Sequence, residues 1–383
     1  MRIAIVGAGA IGCYLGARLA RRGHDVRVQG RSEQVEALRA RGLLLRLPDG
    51  QVERQPLRAT TDLRSEADFT PEVILLTVKT QDVAAACLEL ASLAAAAPIV
   101  TLQNGLRADG IVAGVVGRDR VVGAVVMSAI AYLRPGEIEV QFPGWLTLGE
   151  PWGRPSARIQ ALRAALNDAT PTFITANLSG VRWSKLISNL NNGLCAATGQ
   201  PLPALARSPL GRRFSLALMR EGVAVAHAQP GVRLDHGLYG LAPRLLRENH
   251  SAGLVALVAL VQGMMPMLLE WLPQPLAEQT LTLAARSRLG RLPVRGSTWQ
   301  SIARGRATEI EYLNGEISQR GRERGVATPV NDLVTQAVRE VATTRRFFTL
   351  DGLHASQTGR AAAAPVTQPT QPTQPTQPNG GMT

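Results

Sequence analysis

Of the 42 basic side chains in this chain, 40 are arginine and two are lysine, Lys79 and Lys185. An arginine guanidinium keeps its proton at any ordinary pH, whereas a lysine ammonium is a compact point donor that can surrender one. Two lysines in so biased a composition either survive by chance or do what arginine cannot, such as protonating an oxygen that is gaining negative charge. Lys185 stands in residues 181–199, VRWSKLISNLNNGLCAATG, where helical spacing puts Lys185, Asn189 and Asn192 on one side and Leu186, Leu190 and Leu194 in an apolar stripe. Asparagine competes with a helix backbone for hydrogen bonds and is costly to bury unpartnered, so these amides face a polar ligand, a neighbouring helix or solvent. Glu309 belongs to residues 307–315, ATEIEYLNG, beside an apolar edge of Ile310, Leu313 and Ile317. A carboxylate on such a helix is ordinarily just solvated.

The first sixteen residues, MRIAIVGAGAIGCYLG, supply the other chemical pattern. An apolar run, residues 3–6, ends at Gly7, and Gly9 and Gly12 follow with helix formers behind them: the strand, turn and helix start of a dinucleotide site. Gly7 allows the turn, Gly9 lets a pyrophosphate approach the backbone, and Gly12 lets the helix pack close. The N–H groups of Ala8, Ala10 and Ile11 lie in the same cradle, at the positive end of the helix. After the second strand, residues 24–29, the acidic residue that would bind the ribose hydroxyls of NAD is missing; Gln29, Gly30, Arg31 and Ser32 stand there. Arg31 is either a surface arginine or the partner of a 2′-phosphate, and the missing carboxylate independently points to NADP.

These residues need elements to hold them. Residues 72–78 form a continuous apolar strand that delivers Lys79 to its carboxyl end, where an open parallel sheet keeps its ligand crevice. Residues 98–102 form another, delivering Gln103-Asn104-Gly105 to the same edge; Asn104 is a turn residue or a ligand-facing amide. Residues 43–57, with Asp49-Gly50 at the centre, suggest a hairpin inserted in the parallel sheet. Residues 121–131, 136–141 and 145–148 read as closing strands, and a helix at 157–166 and a short strand near Phe173 complete the domain. From about Val181 to Arg346 the pattern is helical. The expected fold class is therefore α/β: a dinucleotide-binding domain over 1–175, an all-α domain over 176–346, and a disordered tail over 347–383, which contains four Thr-Gln-Pro repeats at 367–378.

Bulk properties agree with this division. A length of 383 residues suits two domains and a tail, and a hydrophobic content of 45% suffices for their cores. The net charge is +13, yet aromatics make up 4% and no dense basic block occurs, which disfavours nucleic acid as a partner. Cys13, Cys87 and Cys195 are scattered without metal-ligand spacing, so no metal is expected, and a reducing cytoplasm fits. With a core strand at the start of the chain, no signal peptide is expected. Residues 252–269 are uncharged, but Gln262, Gly263 and Pro266 interrupt them, which favours a broken buried helix over a membrane span.

The GAGAIG turn, Arg31, Val78-Lys79, Gln103-Asn104-Gly105, Trp183-Ser184-Lys185-Leu186 with Asn189, Ser297, and residues 308–315 occur in an order that resembles the ketopantoate reductase (2-dehydropantoate 2-reductase) family over roughly residues 1–345. The resemblance implies a Rossmann domain joined to a helical domain and NADPH-dependent reduction of a 2-keto acid, with ketopantoate converted to pantoate. It implies Lys185 as proton donor and Glu309 as an active-site carboxylate. Lys79, Asn104 and Ala129 would contact the cofactor or reacting centre, and Asn104, Asn189 and Ser297 the substrate. Both lysines of the chain thus fall on positions the family uses. Two departures bear on the substrate: Gly193 stands where the family commonly has a second asparagine, and the stretch from Lys185 to Ser297 is long. The alternatives are another 2-keto acid or a non-catalytic NADPH sensor. The oligomeric state stays open, a homodimer being one option.

Overall fold

The computed structural model describes residues 1–90, 96–235, 269, 272–286 and 296–359. Twelve strands are found in the described part of the first domain: β1 Arg2–Val6, β2 Asp25–Gln29, β3 Leu43–Arg46, β4 Val52–Gln55, β5 Ala59–Thr60, β6 Val73–Leu76, β7 Ile99–Thr101, β8 Val121–Val126, β9 Ala129–Arg134, β10 Glu137–Phe142, β11 Leu146–Gly149 and β12 Thr172–Ile174. Eight of them form one sheet in the order β12-β11-β8-β7-β6-β1-β2-β5. All neighbours in it run parallel except β8 and β11.

Strands covered on both faces must be apolar throughout, as β6 (Val-Ile-Leu-Leu) and β8 (Val-Val-Gly-Ala-Val-Val) are, while β2 toward the edge alternates with polar residues. Ile3 and Ile5 of β1 enter the core that also holds Leu15 of helix α1 (Ala10–Arg21) and Leu162 of helix α5 (Ala157–Asn167). Ala4 and Val6 point to the other face, where Cys87 of α3 (Val83–Leu90) and Val112 of α4 (Ala108–Val116) pack. Between β1 and β6 the strand order reverses direction. That reversal opens a crevice at the carboxyl ends of these two strands, between Gly7 and Lys79.

The hairpin expected within the parallel sheet is elsewhere. β3 and β4 pair antiparallel, and β3 joins β10 and β9 to make a separate four-stranded sheet, order β4-β3-β10-β9. The run expected as one strand over 121–131 breaks at Met127-Ser128, so β8 lies in the large sheet and β9 in the small one. Glu137 of β10 explains part of this arrangement: it is buried and takes ion pairs from Arg46 and Arg134, which ties the small sheet together.

The second domain begins with α6 (Leu178–Asn189) and continues through α7 (Asn191–Thr198), α8 (Leu202–Arg207), α9 (Pro209–His227) and helices Gln274–Arg286, Ser297–Ala303, Asn314–Arg324, Pro329–Thr344 and Leu350–Gln357 around one apolar core. The last of these corrects the expected start of the tail at 347. Leu350 and Leu353, one helical turn apart, are buried in the second core, and the Thr349 hydroxyl caps the helix by accepting from the Gly352 N–H at 2.9 Å. The Thr-Gln-Pro repeats and nearly all of residues 252–269 lie outside the described residues; Leu269 is buried. Among the described residues no helix is long and apolar enough to cross a membrane. All three cysteines are free and buried.

Candidate active site

The glycine turn is built as its spacing requires. Gly7 has φ +118°, and a Cβ there would lie 2.7 Å from the Val78 nitrogen, so the first position must be glycine. A Cβ on Gly12 would lie 2.1 Å from the Gly7 carbonyl oxygen, while the same atom on Gly9 would meet nothing within 4 Å. Gly9 is the N-cap of α1, and no side chain caps that helix. The turn therefore leaves uncapped N–H groups at a positive helix end with open space over Gly9, the polarity an anionic diphosphate calls for. Thr77, not singled out from the sequence, fixes the turn by donating to the Gly7 carbonyl at 2.7 Å. Arg31 is the N-cap of helix α2 (Ser32–Arg41), exposed at the end of β2, with no ion pair among the described residues.

On the other side of the crevice the two domains meet. Lys79, just past β6, donates from Nζ to Ser301 Oγ at 2.8 Å and to the Ala307 carbonyl at 2.5 Å, both in the helical domain. Glu309 Oε1 accepts from the Thr80 N–H and hydroxyl, each at 3.3 Å, and the same hydroxyl reaches the Asn104 carbonyl at 3.4 Å. Gly105 allows this approach: its φ is +84°, and a Cβ would lie 2.6 Å from the Tyr312 carbonyl oxygen. The turn after β7 and the 307–315 segment thus touch each other.

Lys185, in the last two turns of α6, donates to the Val126 carbonyl at 2.5 Å, where β8 ends and the chain changes sheets. Burial first and the Arg182 charge second, opposed by Glu309, together bring its ammonium down to about 7. Lys79 is also lowered by burial, again against Glu309. One carboxylate thus acts on both lysines. Arg182 was not foreseen. It is buried one turn before Lys185, donating to Asp109 Oδ1 at 2.7 Å and Thr101 Oγ1 at 2.9 Å. A single arginine among 40 gives no contrast, and its carboxylate is 73 residues away.

The remaining expected residues divide. Asn189 ends α6 one turn after Lys185 and is partly buried; Ala129, three residues past Val126, opens β9. Ser297 is exposed in the first turn of its helix, where its carbonyl accepts from the Ser301 hydroxyl that Lys79 also bonds. Asn192 is not on the Lys185 face of one continuous helix, because α6 stops at Asn189 and α7 starts at Asn191. It adjoins Gly296, whose Cβ would lie 2.6 Å from Asn192 Oδ1. Gly193 faces away into the helical core, where a Cβ would lie 2.3 Å from Asn314 Oδ1 and 2.8 Å from Val334. Its departure from the expected asparagine is thus a matter of packing. Glu309 precedes a single turn, Ile310–Tyr312, instead of riding on a longer helix, because Leu313 (φ −116°, ψ −100°) breaks the chain before Asn314–Arg324.

Comparisons with known proteins bear on the family and the fold. Residues 3–152 match the family model described as "Ketopantoate reductase PanE/ApbA", and residues 177–342 that of its C-terminal domain. A 2-dehydropantoate 2-reductase from Halobacterium salinarum is 27% identical over 342 residues, 88% of this chain and 98% of that protein. The crystal structure of a PanE/ApbA family ketopantoate reductase from Ralstonia eutropha superposes with a TM-score of 0.68 at 29% identity, covering 89% of this chain and 98% of that one. A D-mandelate dehydrogenase solved with NADH and anilino(oxo)acetate shares the fold, with a TM-score of 0.70 at 22% identity over 89% of this chain and 98% of that one.

Proposed function

Because the chain belongs to the ketopantoate reductase family of oxidoreductases, we propose that it reduces 2-dehydropantoate to pantoate with NADPH, using Lys185 as the proton donor. The observation that carries this reading is the meeting of the two domains beside Lys79, which bonds Ser301 and Ala307 while Glu309 accepts from the adjoining Thr80, with the Glu309 charge also felt by Lys185. A reducing dinucleotide supplies the hydride when bound. Gly7, Ala8, Gly9, Ala10, Ile11 and Gly12 hold its diphosphate on backbone N–H groups, and Arg31 holds the 2′-phosphate. Lys79, Asn104 and Ala129 line the side toward the reacting centre, and Asn104, Asn189 and Ser297 hold the keto acid.

Negative charge grows on the 2-carbonyl oxygen as the carbonyl carbon is reduced, and the Lys185 ammonium both stabilises that charge and neutralises it by giving up its proton. An amine titrating at about 7 is poised for this near neutrality, since its acid form is present and its proton is not tightly held. Glu309 keeps the ammonium form accessible against the cost of burial. The missing acidic residue after β2 and the exposed Arg31 support NADPH over NADH.

The test is NADPH oxidation with ketopantoate beside a panel of branched and larger 2-keto acids. Highest kcat/KM for ketopantoate supports the assignment. A higher value for another acid supports a second reading, the same chemistry on a different 2-keto acid, which the length of the chain between Lys185 and Ser297 favours. Tight NADPH binding without turnover of any of them would make the protein a sensor.

A further inference from the structure

Arg304 and Arg306 carry the same charge and stand over the same ring. Both guanidinium groups lie on Tyr132, 5.2 and 5.9 Å from its centroid. Neither forms an ion pair with a carboxylate among the described residues, and Arg304 donates back to the preceding helix at the Gln300 carbonyl. An exposed cation over a ring gains about 0.5–1 kcal/mol, and two such cations side by side over the half-buried Tyr132 repel, so the pair is not explained as a device for stability.

Tyr132 fixes where the pair stands. Its hydroxyl donates to Gln34 Oε1 at 2.9 Å, in the first turn of α2, and Gln34 Nε2 donates to the Cys13 sulfur at 3.2 Å, in the first turn of α1. The ring is therefore tied through Gln34 to the two helix starts that Gly9 and Arg31 cap. The arginines reach it from the helical domain, on the segment that follows helix Ser297–Ala303, and Lys79 pins that segment at the Ala307 carbonyl.

We propose that Arg304 and Arg306 form a phosphate clamp that the helical domain lays over the phosphate-bearing half of the dinucleotide, with the glycine turn and Arg31 on the opposite side. The proposal rests on the dinucleotide reading above. An anion between the two guanidiniums turns their repulsion into two charge-assisted hydrogen bonds, and it joins the domains at the same time.

The test is direct binding of NADPH and NADH to the full chain and to the Arg304→Ala/Arg306→Ala pair, followed by nucleotide fluorescence without substrate. Both side chains are exposed, so the melting temperature of the free protein stays unchanged. NADPH affinity falls about tenfold or more, the size of one or two lost charged hydrogen bonds. Equal weakening of NADH assigns the clamp to the diphosphate; weakening confined to NADPH assigns it to the 2′-phosphate. Wild-type affinity for both in the double variant overturns the clamp. Arg31→Ala separates the two ideas: if it weakens NADPH while the double variant does not, the cofactor assignment stands and the clamp fails, and a wild-type chain that binds neither dinucleotide removes the reading beneath it.

Discussion

A lysine held near 7 by burial sets its own pH limit as an acid. With Lys185 as the proposed proton donor, the ammonium is present below that value and absent above it, so kcat is expected to fall as pH rises through about 7, a limb that a pH–rate profile reads directly. Lys185→Ala lowers kcat by about 10²–10⁴-fold with the fold intact, since positioned acid catalysis contributes that much. Lys185→Arg fails as well, because guanidinium keeps its proton; full turnover in this variant would end the proton-donor assignment. Glu309→Gln removes the charge that supports the ammonium. The descending limb then moves to lower pH, and an unmoved limb would show that Glu309 does not act on Lys185. At this scale the sequence was informative because composition made the two lysines stand out. It was silent about Thr80, Ser301 and Arg182, ordinary residue types whose partners come from distant segments.

The elements were legible where a period repeats and illegible where it breaks. β1 and the glycine turn followed from an apolar run and three glycines, but the lysine helix was read as continuous through Asn192. Its break at Leu190 has a local cause in consecutive asparagines, whose amides compete with the backbone, and a tertiary one that no periodicity contains. The Asn314 amide donates to the Leu190 carbonyl at 3.1 Å and to Asn331 Oδ1 at 3.0 Å, so the segment after Glu309 buttresses the break in the helix that bears Lys185. Gly193 leaves the room for that amide. Gly193→Asn, which restores the expected residue, therefore overpacks the junction and costs about 1–3 kcal/mol. A lower melting temperature with reduced activity is the expected outcome. A variant as stable and active as the wild type would mean that Asn314 is not needed there.

At the scale of the molecule, the polar contacts between domains flank the site on both sides. Lys79 reaches Ser301 and Ala307 on one; on the other, Arg107 pairs with buried Glu316 and donates to Gln319 Oε1 at 2.6 Å. Between them the Arg182–Asp109 pair joins α6 to α4, with side-chain exposures of 5% and 11%. Two domains and a helical second half were readable from hydrophobic pattern, but this junction was not, since each contact joins residues far apart in the chain. The Arg182 charge is tolerated beside Lys185 because Asp109 neutralises it. Asp109→Ala leaves that guanidinium buried without its carboxylate, a change that costs about 3–5 kcal/mol. It also exposes the Lys185 ammonium to an uncompensated positive neighbour, which drives its titration further down. Two readouts should therefore move together: the melting temperature falls, and the alkaline limb of kcat shifts to lower pH. A fall in stability with an unshifted limb would reduce the pair to a structural staple, whereas the coupled change makes the domain junction part of what sets the acidity of the site.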